Sequence, residues 1–99
     1  MKTKKEEYID RMTAQLKEWS AKIDELEGRV GTAKDDMRLG YENRIRELRE
    51  KRETVSHKLQ EVRGASGEAW VTMKAGVETA WDDFKLALSA ARDKFKKAA

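Results

Sequence analysis

The sequence predicts an all-α protein: a long helix followed by a shorter one in an antiparallel helical hairpin, assembling into a coiled-coil or helical-bundle oligomer. Three observations carry this expectation. Ile9, Met12, Leu16, Trp19, Ile23, Leu26, Val30, Ala33 and Met37 follow one another in alternating steps of three and four, with no slip. A 3.5-residue repeat keeps one stripe of a helix against a neighbour as the two supercoil. Charged residues make up 41% of the chain and proline is absent, the bias of long helices. Finally, Arg63-Gly64-Ala65-Ser66-Gly67-Glu68 gathers turn-forming residues at one place and divides the chain into unequal parts.

The first helix is expected over about residues 4–62. Thr3 suits its N-cap, Glu6 completes a capping-box pattern, and Glu6 and Glu7 place carboxylates where helical N–H groups are exposed. Gly28 and Gly31 fall inside the apolar rhythm and read as tolerated. Gly40 is the harder position, because the steps Met37–Tyr41–Ile45 are both of four before Leu48, Arg52, Val55, Leu59 and Val62 resume the pattern. Two such steps are a stutter, which unwinds a supercoil without ending the helix. The alternative is a three-helix bundle with a break near Gly40.

The turn is expected at residues 63–67, with Gly64 as a left-handed C-cap, Ser66 as N-cap and Glu68 in the first turn of the next helix. That helix should run over about residues 67–97 and end in cations at Arg92, Lys94, Lys96 and Lys97. Its apolar face is wide: Trp70, Val77, Phe84 and Ala91 form one row. Met73, Ala80 and Ala87 form a second, and Trp81, Leu88 and Phe95 a third.

Length turns into an expectation about assembly. The first helix would be roughly 90 Å long and the second roughly half that. Folded back, the second covers only residues around 32–62, leaving Ile9 to Val30 in water. The chain is therefore expected to pair with itself, as a homodimer or tetramer. A turn near Gly40 would remove that requirement.

Charge restricts the partners. Twenty-two basic and nineteen acidic residues give a net charge of +3, and opposite signs interleave throughout. No single-sign field favours nucleic acid. Zero cysteines exclude disulfides and thiolate metal sites. No apolar run resembles a leader or a membrane span, so a cytoplasmic location is the default expectation.

No catalytic, cofactor-binding or metal site is expected. Glu53, His57 and Glu61 share one helical face, but Thr54 stands where a di-iron bundle needs glutamate, and a solvated stripe accounts for them. Ser56 and His57 are adjacent and point about 100° apart, which precludes a relay. The pairs Asp35–Asp36 and Asp82–Asp83 are adjacent in the same way. Trp70 and Trp81, eleven residues apart, lie on one side of their helix and read as bundle core before ligand grip. Gly76 and Ala80 permit a close helix approach. Arg52 falls on the core seam and is expected to snorkel out. The stretch Arg44 to Arg52 is read as intrahelical ion pairs. An amphipathic second helix with aromatics and lysines also suits a lipid surface, although Glu78, Asp82, Asp83 and Asp93 weigh against it.

Two stretches carry a resemblance. One is Tyr8-Ile9 with Met12, Gln15-Leu16, Trp19, Ile23-Asp24 and Leu26. The other is Gly64-Ala65-Ser66-Gly67-Glu68-Ala69-Trp70 with Lys74-Ala75-Gly76-Val77 and Ala80-Trp81. Together they resemble a family of short bacterial coiled-coil proteins, some labelled stress-response proteins. The resemblance implies a bacterial, helical, non-enzymatic protein and supplies no catalytic residues. The functional expectation is a self-associating structural or partner-binding protein linked to stress. Its partner would be itself or another helical protein. The alternative is a peripheral lipid-surface binder.

Overall fold

The computed structural model describes residues 2–98, with side chains placed through Lys94. It holds three helices: α1 (Lys4–Val30), α2 (Asp35–Gly64) and α3 (Ala69–Ala98). Among the described residues there is no strand. The single helix expected over 4–62 is thus two helices, and the break lies at residues 31–34, not near Gly40.

Local chemistry explains the position of that break. Gly28 and Gly31 lower helix propensity by about 1 kcal/mol each relative to alanine. Thr32 then turns its own groups back: its N–H and its hydroxyl both donate to the Arg29 carbonyl, at 3.1 and 2.9 Å. The Ala33 N–H reaches the Val30 carbonyl at 3.1 Å. Lys34 is extended, and its carbonyl accepts from Met37 and Arg38 as α2 begins. Asp35 and Asp36 fill the first turn of α2, where carboxylates complement the N-terminal dipole. Gly40 lies inside α2, and a Cβ added there would meet nothing within 4 Å.

The second turn differs in detail from expectation. Gly64 is the last helical residue and Ala65 caps it in an extended conformation. The left-handed residue is Gly67, at φ +59°. Glu68 precedes α3, whose first turn contains no acidic residue. Thr3 caps α1 as its sequence suggests, accepting from the Glu6 N–H at 3.1 Å.

The three helices run up, down and up. Lys5 of α1 donates to the Arg63 and Ala65 carbonyls at the end of α2, which fixes those two helices as antiparallel. Lys51 of α2 bonds Asp83 of α3 at 2.6 Å, and Lys58 lies over Gly76. Helices α1 and α3 are therefore parallel. Helix α2 is the shared spine, and α1 and α3 touch each other least. The molecule measures 52 × 22 × 17 Å.

Two stacked clusters form the core. One joins Tyr8, Ile9 and Met12 to Leu59, Val62 and Val77. The other centres on Ile23, Leu48, Val55, Phe84 and Leu88. Each such side chain contributes about 1.5–3 kcal/mol when fully buried. Among the described residues no charged side chain is buried, and the tyrosines Tyr8 and Tyr41 carry the only buried side-chain hydroxyls. The α1 seam, which a long hairpin would leave uncovered, is covered here by the chain's own α2 and α3. The apolar residues of α1 therefore do not by themselves require a second copy.

Candidate functional site

Helices α1 and α3 are joined by aromatic rings across a gap that their backbones do not close. Trp19 lies 5.0 Å from Trp81 and 5.7 Å from Phe84, centroid to centroid. Trp81 and Phe84 meet edge to face at 5.6 Å. Toward the other end, Tyr8 lies 6.1 Å from Trp70. Offset and tilted pairs of this kind add about 0.5–1.5 kcal/mol beyond area burial. Trp19, Trp70 and Trp81 are each half-buried, with one side on the core and one side toward solvent. The expectation of Trp70 and Trp81 as core residues thus holds for their inner sides.

Cations lie over this seam. Lys22 sits 5.1 Å from the Trp19 ring, and Lys74 and Arg11 lie 5.1 and 5.6 Å from Tyr8. The Tyr8 hydroxyl is buried, with no hydrogen-bond partner among the described residues. Burial, with a smaller contribution from the Glu78 carboxylate, raises its pKa above the ordinary tyrosine value, against an opposing effect of Arg11.

Beyond Trp19, between the C-terminal half of α1 and the matching stretch of α3, a cleft of about 770 Å³ opens. Leu26 and Leu88 lie at its base with Trp19 at one end. Four cations, Lys22, Arg29, Lys85 and Arg92, line it together with two carboxylates, Glu25 and Asp93. Arg29 is paired with Glu25 at 3.6 Å.

Elsewhere on the bundle, ion pairs link neighbouring helices at two places. Arg49 bonds Asp24 at 3.3 Å and also bonds Glu27, bridging α2 to α1. Lys51 bridges α2 to α3 through Asp83, and that bond raises the lysine pKa. The Arg44–Arg52 stretch, expected to pair within its helix, does so at Arg44–Glu47 and Arg52–Glu53 but reaches across helices at Arg49 and Lys51. Arg52 snorkels from the seam to its exposed neighbour Glu53 at 2.7 Å.

His57 is exposed and faces Glu61 at 3.3 Å, while Glu53 is held by Arg52. Among the described residues, no group of three or more His, Cys, Asp or Glu is arranged to hold a metal ion. No described helix is long and apolar enough to cross a membrane. The side chains of Phe95, Lys96 and Lys97 lie outside the described residues.

Sequence reasoning did not find the cleft. Its two walls are some sixty residues apart in the chain, and their parallel alignment depends on the turn at residues 31–34. No protein-family model matches this chain, and no curated protein or solved structure matches it significantly.

Proposed function

We propose that the chain is a non-enzymatic helical binding module, structural or partner-binding in role, whose working face is the α1/α3 side. One observation carries this reading. α1 and α3 are parallel, meet through half-buried aromatic rings, and leave the position that a fourth helix occupies in a four-helix bundle open. Aromatic side chains with one wet side are favoured anchors at interfaces. The resemblance to stress-linked bacterial proteins supplies the setting of this proposal, and a second copy is one candidate partner.

Site-specific photocrosslinking tests it. A benzophenone amino acid at Ser89, which lines the cleft, should give a discrete adduct in the native host, and one at Thr79, away from the cleft, should not. An adduct between two copies would identify self-association. Equal labelling from both positions, or none, contradicts the reading.

The lipid-surface reading has its own observation. Val71, Met73 and Leu86 of α3 are exposed, Leu86 by 72%. Trp emission should then shift with anionic vesicles, and an unchanged spectrum excludes it.

A further inference from the structure

The two turns of the chain are built differently. In the second, Ala65 is extended and Gly67 takes φ +59°, a left-handed conformation that a continuing helix does not contain. In the first, at residues 31–34, no residue has a positive φ. Gly31 is itself helical, at φ −62° and ψ −22°. The Thr32 and Ala33 N–H groups reach back three residues, to the Arg29 and Val30 carbonyls, and carry the helical ladder forward in its tighter form. Lys34 has a helical φ of −64° and leaves the helix through its ψ of 147°. Its side chain makes no capping bond to α2, and the segment contains no proline. Val30, Ala33 and Met37 meanwhile keep the three-four rhythm of one uninterrupted seam. Backbone and side-chain pattern both admit a second state, in which residues 4–64 form a single helix.

We propose that two copies of this chain exchange α1 through the 31–34 turn, giving a domain-swapped dimer. The α2/α3 face of each copy is then covered by α1 of the other. The bonds from Lys5 to the Arg63 and Ala65 carbonyls re-form between copies, as do those from Arg49 to Asp24 and Glu27. Trp19 of one copy packs on Trp81 and Phe84 of the other, so each aromatic seam is completed by the second chain. The packing of the closed bundle is kept, and what changes is the turn. In dilute solution the closed bundle prevails, because a chain closing on itself loses no association entropy. Concentration favours the exchange. The inference goes beyond the α1/α3 working face and does not depend on it.

Asp35 separates the two states. It is exposed at the first position of α2, where proline is favoured, and Lys34 before it already has the extended ψ that a residue preceding proline prefers. Asp35→Pro therefore suits the closed turn. In a continuous helix it would remove a backbone bond and clash with the Gly31 carbonyl. Asp35→Ala with Asp36→Ala acts in the opposite direction, since both carboxylates complement a helix N-terminus that exists only while the turn does.

The test is refolding of the full chain from urea at millimolar concentration, followed by size-exclusion chromatography with light scattering. The parent should give a monomer and a dimer of twice the 11.4 kDa chain mass, with equal helicity per residue. Asp35→Pro should give monomer alone with unchanged helicity, and Asp35→Ala with Asp36→Ala should raise the dimer association constant at least about fivefold. Spin labels on Glu7→Cys with Glu61→Cys, refolded with excess unlabelled chain, distinguish exchange from side-by-side pairing. The isolated monomer should show the short distance and the isolated dimer should lose it, because one helix separates the labels by about 80 Å. No dimer in either the parent or the alanine variant would overturn the proposal. So would a spin-diluted dimer that keeps the short distance, or a folded Asp35→Pro that dimerises as the parent does. Should Asp35→Pro fail to fold, the distance in the parent dimer decides alone.

Discussion

Trp19 of α1 and Trp81 of α3 lie with their ring centroids 5.0 Å apart and their planes inclined by 59°. The pair is the principal lateral link between two helices that otherwise depend on α2 to hold them together. Truncation should therefore act on the seam as well as on the core. Trp19→Ala is expected to destabilise the bundle by about 3 kcal/mol, and Trp19→Phe by about 1 kcal/mol. Thermal or urea unfolding followed by circular dichroism measures both. An alanine variant as stable as the parent would show that the ring contacts contribute nothing.

Two glycines should respond to alanine with opposite signs. Gly40 is helical with open space around it, so Gly40→Ala should stabilise by about 0.5–1 kcal/mol. Gly67 sits at φ +59°, where a side chain is strained, so Gly67→Ala should cost about 1–2 kcal/mol. Destabilisation by Gly40→Ala would indicate a chain break there.

Tyr8 carries a buried hydroxyl with no partner among the described residues, and its burial against Leu59, Val62 and Val77 does not require that oxygen. Tyr8→Phe should leave stability unchanged or raise it by up to about 1 kcal/mol. A loss of more than that would reveal a hydrogen bond that the hydroxyl makes in solution.

Stability should fall in alkali. The Tyr8 pKa is raised by burial and by Glu78, with Arg11 opposing, while Lys74 also lies against its ring. The Lys51 pKa is raised by its bond to Asp83. Both groups hold a proton more tightly when the chain is folded. Their contribution is therefore fully present below their ordinary values of about 10 and is lost as pH rises through the folded values. The lysine part should stay below about 1 kcal/mol because the pair is largely exposed. Urea unfolding at about pH 9 and about pH 12 measures the loss. Tyr8→Phe should shrink it, and an equal loss in that variant would place the effect elsewhere.

Much of the fold is legible in the residues. The Thr3 cap and the α1 core positions Ile9, Met12, Ile23, Leu26 and Val30 follow from type and spacing. The break at 31–34 does not, because Val30, Ala33 and Met37 keep the three-four rhythm across it. Ala33 and Met37 still pack on the core from within and just after the turn, so apolar periodicity passes through it unmarked. The missed signal was polar: the Thr32 hydroxyl bonding back to Arg29, followed by Asp35 and Asp36 as a fresh N-terminal pair. The cleft was less legible still. Lys22 and Lys85 line one cleft from opposite walls only after that turn sets α1 and α3 parallel, and nothing local to either residue encodes it.

Helix α1 folds back onto α2 within one chain. The sequence contains no cysteine, so a labelled pair introduced at Glu7 and Glu61 reports a single distance. Pulsed electron-electron resonance on Glu7→Cys with Glu61→Cys, diluted into excess unlabelled protein, measures it directly. Antiparallel neighbours have axes about 8–10 Å apart, so a short distance dominated by the labels themselves is expected. A continuous helix would separate the two positions by about 80 Å, and that long distance, or a short one that vanishes on dilution, would contradict the three-helix bundle.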